Sequence, residues 1–267
     1  LKQSASHSLT GSGQFTFVSK NQHRVTIKRR SDNQVIVFEL VKDPTIRVLK
    51  LINGEVDLLQ NDLSPEMVAY LKHQEGIKNL QRKGQNFSYI GFNLEDEDIS
   101  TQKLIKALAH AINREEIIQY IFQSSASLAE SILPESHWAG HAQLLGYAYD
   151  PDMSRKLLEK LGYNLDNPLR LVYKTSTDPF RIKLATVIQN QLKAVGVELE
   201  IKSYDWGTFF GDIKSGNFQM YSLSWVGINT PDIFKYVFHS GSLPPEGANR
   251  GRYKSAQVDS LLDQVQI

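Results

Sequence analysis

Proline and glycine punctuate this chain at intervals that leave little choice of architecture. Asp43-Pro44, Ser64-Pro65, Asp150-Pro151, Asp178-Pro179 and Thr230-Pro231 each set a side-chain oxygen just before a proline. Such an oxygen caps a helix start, and proline in the first turn forfeits no hydrogen bond, because that N–H has no intrahelical partner. Gly54, Gly162, Gly196 and Gly216 stand where the helices should stop. Between these marks lie short β-rich runs at 35–40, 56–59, 169–174, 197–201 and 218–225. The alternation predicts βα units on a mixed, mostly parallel sheet flanked by helices, the α/β class. Leu104, Leu108 and Ile112, with Ile105 and Ala109 beside them, predict one long helix over 101–122 with a packed apolar face. Upstream, Phe15, Phe17, Val25 and Ile27 alternate with polar residues around a turn at Asn21-Gln22, a hairpin pattern. Residues 1–12 are polar and predict a loop. No repeat of solenoid length is present.

Charge and composition exclude several functions. Thirty Lys+Arg against 29 Asp+Glu leave a net charge of +1, which gives no drive toward nucleic acid or anionic membrane. The basic run of Arg24, Lys28, Arg29 and Arg30 lacks interleaved aromatics and reads as a solvated strand face. Cysteine is absent, so disulfide frameworks, thiolate metal sites and a Cys nucleophile are excluded. His137 and His141 have the i, i+4 spacing of zinc ligands, but Pro134 and Gly140 disfavour a helix there and no catalytic Glu accompanies them. The run Glu95-Asp96-Glu97-Asp98 lacks the glycine turn of a calcium loop and reads as a solvated acidic loop. There is no phosphate-binding glycine loop followed by Lys-Ser/Thr and no Gly-x-Ser-x-Gly elbow. These readings predict no enzyme, no cofactor and no metal.

Several stretches, in order, resemble the type-5 extracellular solute-binding proteins of ABC importers, the oligopeptide- and dipeptide-binding group. Gly11-Ser12-Gly13-Gln14-Phe15 resembles the family's glycine-rich entry to a strand. Asp43-Pro44-Thr45-Ile46-Arg47 with Asn53-Gly54-Glu55-Val56-Asp57 resembles its D-x-x-x-R…SGEVD signature. Tyr89-Ile90-Gly91-Phe92-Asn93 is similar to its Y-x-x-F-N strand. Ala107-Leu108-Ala109-His110-Ala111-Ile112-Asn113-Arg114-Glu115 is similar to its A-l-x-x-A-I-D-R-e helix. Tyr149-Asp150-Pro151 through Leu161-Gly162-Tyr163, then Asp205-Trp206, Gly216-Asn217-Phe218 and Ser224-Trp225, follow in family order. The resemblance implies two α/β lobes that close on a ligand. It assigns residues 1–33 to a remnant hairpin of the first lobe and 34–267 to the second lobe, cut before its last helix. A start at Leu1 and an end within an apolar run suit a piece of a longer protein.

Ligands of open α/β sheets sit outside the carboxyl ends of the strands. That rule points to Thr175, Ser176 and Asp178 after one strand, to Trp206 after the next, and to Trp225, Val226, Gly227, Ile228 and Asn229 after the third. The resemblance places Trp206 and Trp225 at cavity-lining positions. An exposed indole there offers a broad rigid face and an N–H. It also implies an Asp three residues beyond the second tryptophan, which pairs with a peptide's α-ammonium; here that residue is Ile228. Positions near Ile213 and Ser222, where peptide readers carry Arg, are not basic. The cargo is then a blocked or cell-wall peptide, an opine-like compound or another small polar molecule, unless Asp232 or Asp178 substitutes. The implied function is non-catalytic capture of a peptide or small solute, with release to a membrane ABC permease. The setting is periplasmic or extracytoplasmic, with membrane attachment through a missing N-terminus open. The fragment itself is expected to be monomeric, with no nucleic-acid partner. The alternative is the same fold used as a ligand sensor in a regulator.

Overall fold

The computed structural model describes residues 2–3, 9–60, 63–82, 84–99, 101–141, 144 and 146–265. They form two compact units, Leu1–Asn79 and Leu80–Ile267.

In the first unit, β1 (Lys2–Gln3) and β2 (Leu9–Thr10) pair antiparallel, where the sequence predicted only loop. β3 (Phe15–Lys20), β4 (Arg24–Arg29) and β5 (Val35–Glu39) make an antiparallel meander. The Asn21 carboxamide turns the first hairpin by accepting from the N–H groups of His23 and Arg24 at 2.9 and 2.8 Å. The second hairpin turns at 30–34, with Arg29 N–H donating to Gln34 O at 2.8 Å. Position 33 lies in this turn, inside one sheet. α1 (Pro44–Ile52) starts under Asp43 and α2 (Pro65–Lys72) under Ser64, as the proline punctuation predicts. The strand predicted at 56–59 is absent, and Leu58 is exposed. A strand needs a partner edge, and none is offered there among the described residues.

The second unit is built on β6 (Phe87–Phe92), β7 (Leu169–Ser176), β8 (Val197–Tyr204) and β9 (Met220–Trp225), in the order β6-β9-β7-β8. β9–β7 and β7–β8 are parallel; β6–β9 is antiparallel. This is the mostly parallel mixed sheet that the sequence predicts. The 101–122 helix is a correction. α3 (Gln102–Ala111) ends where Ile112 turns extended, a short turn α4 (Arg114–Glu116) follows under Asn113, and Ile117–Ile121 is π-helical. α5 (Pro151–Glu159), α6 (Pro179–Lys193), α7 (Trp206–Ser215), α8 (Asp232–Phe238) and α9 (Ala256–Gln264) complete the unit.

Strand alternation sends side chains to two cores. Leu171, Tyr173, Leu199 and Met220 join α3, α5 and α6 in the larger one. Tyr221 and Leu223 face the other way and pack with Phe209, Ile213 and Phe218 around α7. Gly196 and Gly91 are steric necessities. Gly196 has φ +89°, and a Cβ there would stand 2.8 Å from the Asn164 carbonyl carbon. Gly91, opposite Tyr221 in the β6–β9 pair, leaves room for the Tyr221 ring, which any Cβ would strike.

On the α7 side, Lys174 is buried and its Nζ donates to Asp212 Oδ2 at 2.7 Å. The run at 95–98 is tied down rather than merely solvated. Glu95 pairs with Lys254 at 2.6 Å and Arg252 at 3.4 Å, while Asp96 and Asp98 accept from Gln219 Nε2.

Candidate functional site

The carboxyl ends of β8 and β9 carry the two predicted indoles. Asp205 caps α7: its carboxylate accepts from the N–H groups of Gly207 and Thr208 at 2.9 and 3.2 Å and from the Thr208 hydroxyl at 2.6 Å. The Thr208 hydroxyl, then its N–H, hold that carboxyl below its ordinary pKa. The cap fixes Trp206 as the first helical residue, and its side chain is left 58% exposed. One turn on, Phe210 stacks against it, with centroids 5.4 Å apart and planes at 8°.

Trp225 ends β9 and is half-buried. Its ring stacks with Tyr89 of β6 at 6.4 Å and meets Tyr236 of α8 edge-on at 6.2 Å. The Arg250 guanidinium lies 4.6 Å from the Trp225 ring centre and 5.3 Å from that of Phe210. Its Nη1 donates to the Tyr89 hydroxyl at 3.0 Å. Trp206, Phe210, Arg250, Trp225 and Tyr89 therefore form one continuous series of flat groups drawn from four separate segments. Beneath it Tyr221 is buried, and burial raises its phenol far above the ordinary range.

Val226 is 76% exposed, Gly227 takes φ +68°, Ile228 is half-buried and Asn229 is exposed. This segment is clasped by a loop that lacks helix, as Pro134 and Gly140 predict. His137 Nδ1 accepts from Ala139 N–H at 3.1 Å, so Nε2 carries the proton and donates to Asn229 O at 3.1 Å. Trp138, next to His137 in the chain, is 76% exposed, and its ring lies 5.5 Å from the His137 ring. Among the described residues no group of three or more His, Asp or Glu is arranged to hold a metal.

The remaining predicted residues stand apart from the aromatic series. Thr175 and Ser176 are buried within β7, opposite Ser203 and Tyr204 of β8. Asp178 caps α6, accepting from Arg181 N–H at 3.0 Å. Arg181 in turn donates to Ser224 Oγ at 3.1 Å. Asp232 sits in the first turn of α8 and accepts from the Thr230 hydroxyl at 3.1 Å. Sequence reasoning missed Phe210, Tyr89, Arg250 and Trp138. The i, i+4 spacing of Trp206 and Phe210 was a usable signal; Arg250, in an irregular loop, left none.

Flat rings, open backbone and a guanidinium hold a ligand by contact and charge. Residues 3–243 match the model for the bacterial extracellular solute-binding proteins, family 5, middle region. The dipeptide-binding protein of Escherichia coli is 26% identical over 85% of this chain and 43% of its own length. Heme-binding protein A of Haemophilus influenzae is 28% identical over 96% of this chain and 48% of its own. The dipeptide-binding protein of Pseudoalteromonas sp. SM9913, solved in complex with Met-Leu, superposes with a TM-score of 0.79 at 25% identity, over 95% of this chain and 52% of that one. The chain thus spans about half the length of the relatives it matches.

Proposed function

Because this chain belongs to the bacterial extracellular solute-binding proteins of family 5, we propose that its parent protein is the substrate-binding component of an ABC importer. The parent captures a peptide or a related small polar solute between two lobes, unchanged, and presents it to a membrane permease. The observation that carries this reading is the partly exposed aromatic series at the carboxyl ends of β8 and β9, where an open α/β sheet binds its ligands. On this reading Trp206, Trp225 and the 226–229 segment form one wall of the ligand cleft, and the opposite wall belongs to the other lobe. Thr175, Ser176 and Asp178, at the end of β7 and the start of α6, belong to the same ligand-binding face. The relatives bind dipeptides and heme by name, which supports a small, partly apolar ligand. The family is described as extracellular, which supports a parent that works outside the cytoplasmic membrane; no described helix is long and apolar enough to cross a membrane.

Calorimetry tests this. The parent protein should bind members of a di- and tripeptide panel with micromolar or tighter affinity. The chain 1–267 alone should bind the same peptides at least 100-fold more weakly, because only one wall of the cleft is present and each lost contact raises the off-rate. Equal affinity for the two proteins would place the whole site on this chain and refute closure between lobes.

A further inference from the structure

The cations of the second unit are mostly matched with carboxylates. Lys174 has Asp212, Arg252 and Lys254 share Glu95, and Arg170 has Glu198. Arg250 is different. It pairs with no carboxylate among the described residues; its Nη1 donates to the Tyr89 hydroxyl at 3.0 Å, and the guanidinium also interacts with the Tyr221 hydroxyl. Its plane is held between Trp225 and Phe210, so the fork is pre-oriented before any ligand arrives. Arg181, bonded to Ser224 next to Trp225 in the chain, likewise pairs with no carboxylate among the described residues. The acids near these strand ends are committed elsewhere: Asp178 and Asp205 cap helices, and Asp232 accepts from Thr230. At the position that would take an ammonium stands Ile228.

We propose that Arg250 is a specificity-determining residue that receives a carboxylate of the ligand, so that this lobe faces the anionic end of its cargo rather than a free amino group. The inference rests on the solute-capture reading and narrows its ligand class to carboxylates. A guanidinium braced by two rings offers parallel N–H donors that fit a planar carboxylate. Trp225 and Phe210 beside it cover the apolar part of the ligand.

The test uses the full-length parent and two probes, L-alanyl-L-leucine and its C-terminal carboxamide, in calorimetry. The free acid should bind at least tenfold more tightly than the amide, the range expected of a charge-assisted hydrogen bond. Arg250→Gln should bring that ratio to about one, and Arg250→Lys should restore part of it. A merely structural role for Arg250 would weaken both probes alike and keep the ratio, which would overturn the proposal. Equal binding of acid and amide by the unaltered parent would also overturn it and leave solute capture standing. Binding of neither probe would count against the peptide reading and this inference together.

Discussion

Asp212→Asn is expected to lower the unfolding free energy of the second unit by about 3 kcal/mol at neutral pH, the low end of the cost of breaking a buried ion pair. The low end applies because the Asp212 side chain keeps 21% exposure, while that of Lys174 keeps only 9%. The variant leaves the Lys174 ammonium buried beside the Tyr204 ring with no counter-charge. The hydrogen bond from Lys174, aided by Asn217, holds the Asp212 carboxyl below its ordinary value of 3.8. A carboxyl with a depressed folded-state pKa stabilises the fold fully above the unfolded value. That stability is lost as pH falls below 3.8 and through the folded value. The native chain should therefore lose stability on the acid side of pH 4, and Asp212→Asn should show a flatter profile there. Urea denaturation at pH 7 and at pH 3 reads both effects. A loss under 1 kcal/mol at pH 7 would mean that Lys174 reaches water on its own. The double change Lys174→Met with Asp212→Leu should recover most of the loss, since apolar pairs often replace buried ion pairs without cost.

Trp225→Ala in the parent should raise the dissociation constant for a bound peptide by roughly 100-fold, the scale of an aromatic hot spot at the centre of an interface. The ring does more than present its own face. It backs the Arg250 guanidinium and stacks on Tyr89, so its loss loosens two neighbours as well. Trp206→Ala should cost less, about tenfold, because that indole leans only on Phe209 and Phe210 and is 58% exposed. Asp98→Lys, in the acidic segment that anchors Gln219, should change affinity less than either. Calorimetry on the three variants decides. Losses of equal size would remove the case for an aromatic wall.

Much of this was legible from punctuation. Asp43, Ser64, Asp150 and Asp178 cap the helices that their spacing announces, and Gly216 ends α7 in a left-handed conformation; Thr230 does not, for α8 begins at Asp232 after Pro231 with no side-chain cap. Local rules suffice there, because a cap involves only neighbours in sequence. The break at Ile112–Asn113 was not legible. Asn113 draws away to cap the next turn, and its N–H takes the Gln191 side chain from α6, 78 positions away. The strand expected at 56–59 failed for a related reason: extended structure depends on a distant partner, which local propensity does not specify. The placement of both tryptophans at strand ends was legible because strand ends are predictable. Arg250 was not, because its meaning arises only when a loop 25 residues further on folds back over Trp225.

The placement of the indoles also gives this chain a spectroscopic gauge of its own. All three tryptophans of the chain lie in the second unit, with Trp138 and Trp206 largely in water and Trp225 between a phenol ring and a cation. Entry of cargo that excludes water from the first two would shift emission to shorter wavelength, and a change at the third would register as altered quenching by the guanidinium. Docking and its aftermath would thus be visible in one unlabelled stopped-flow trace.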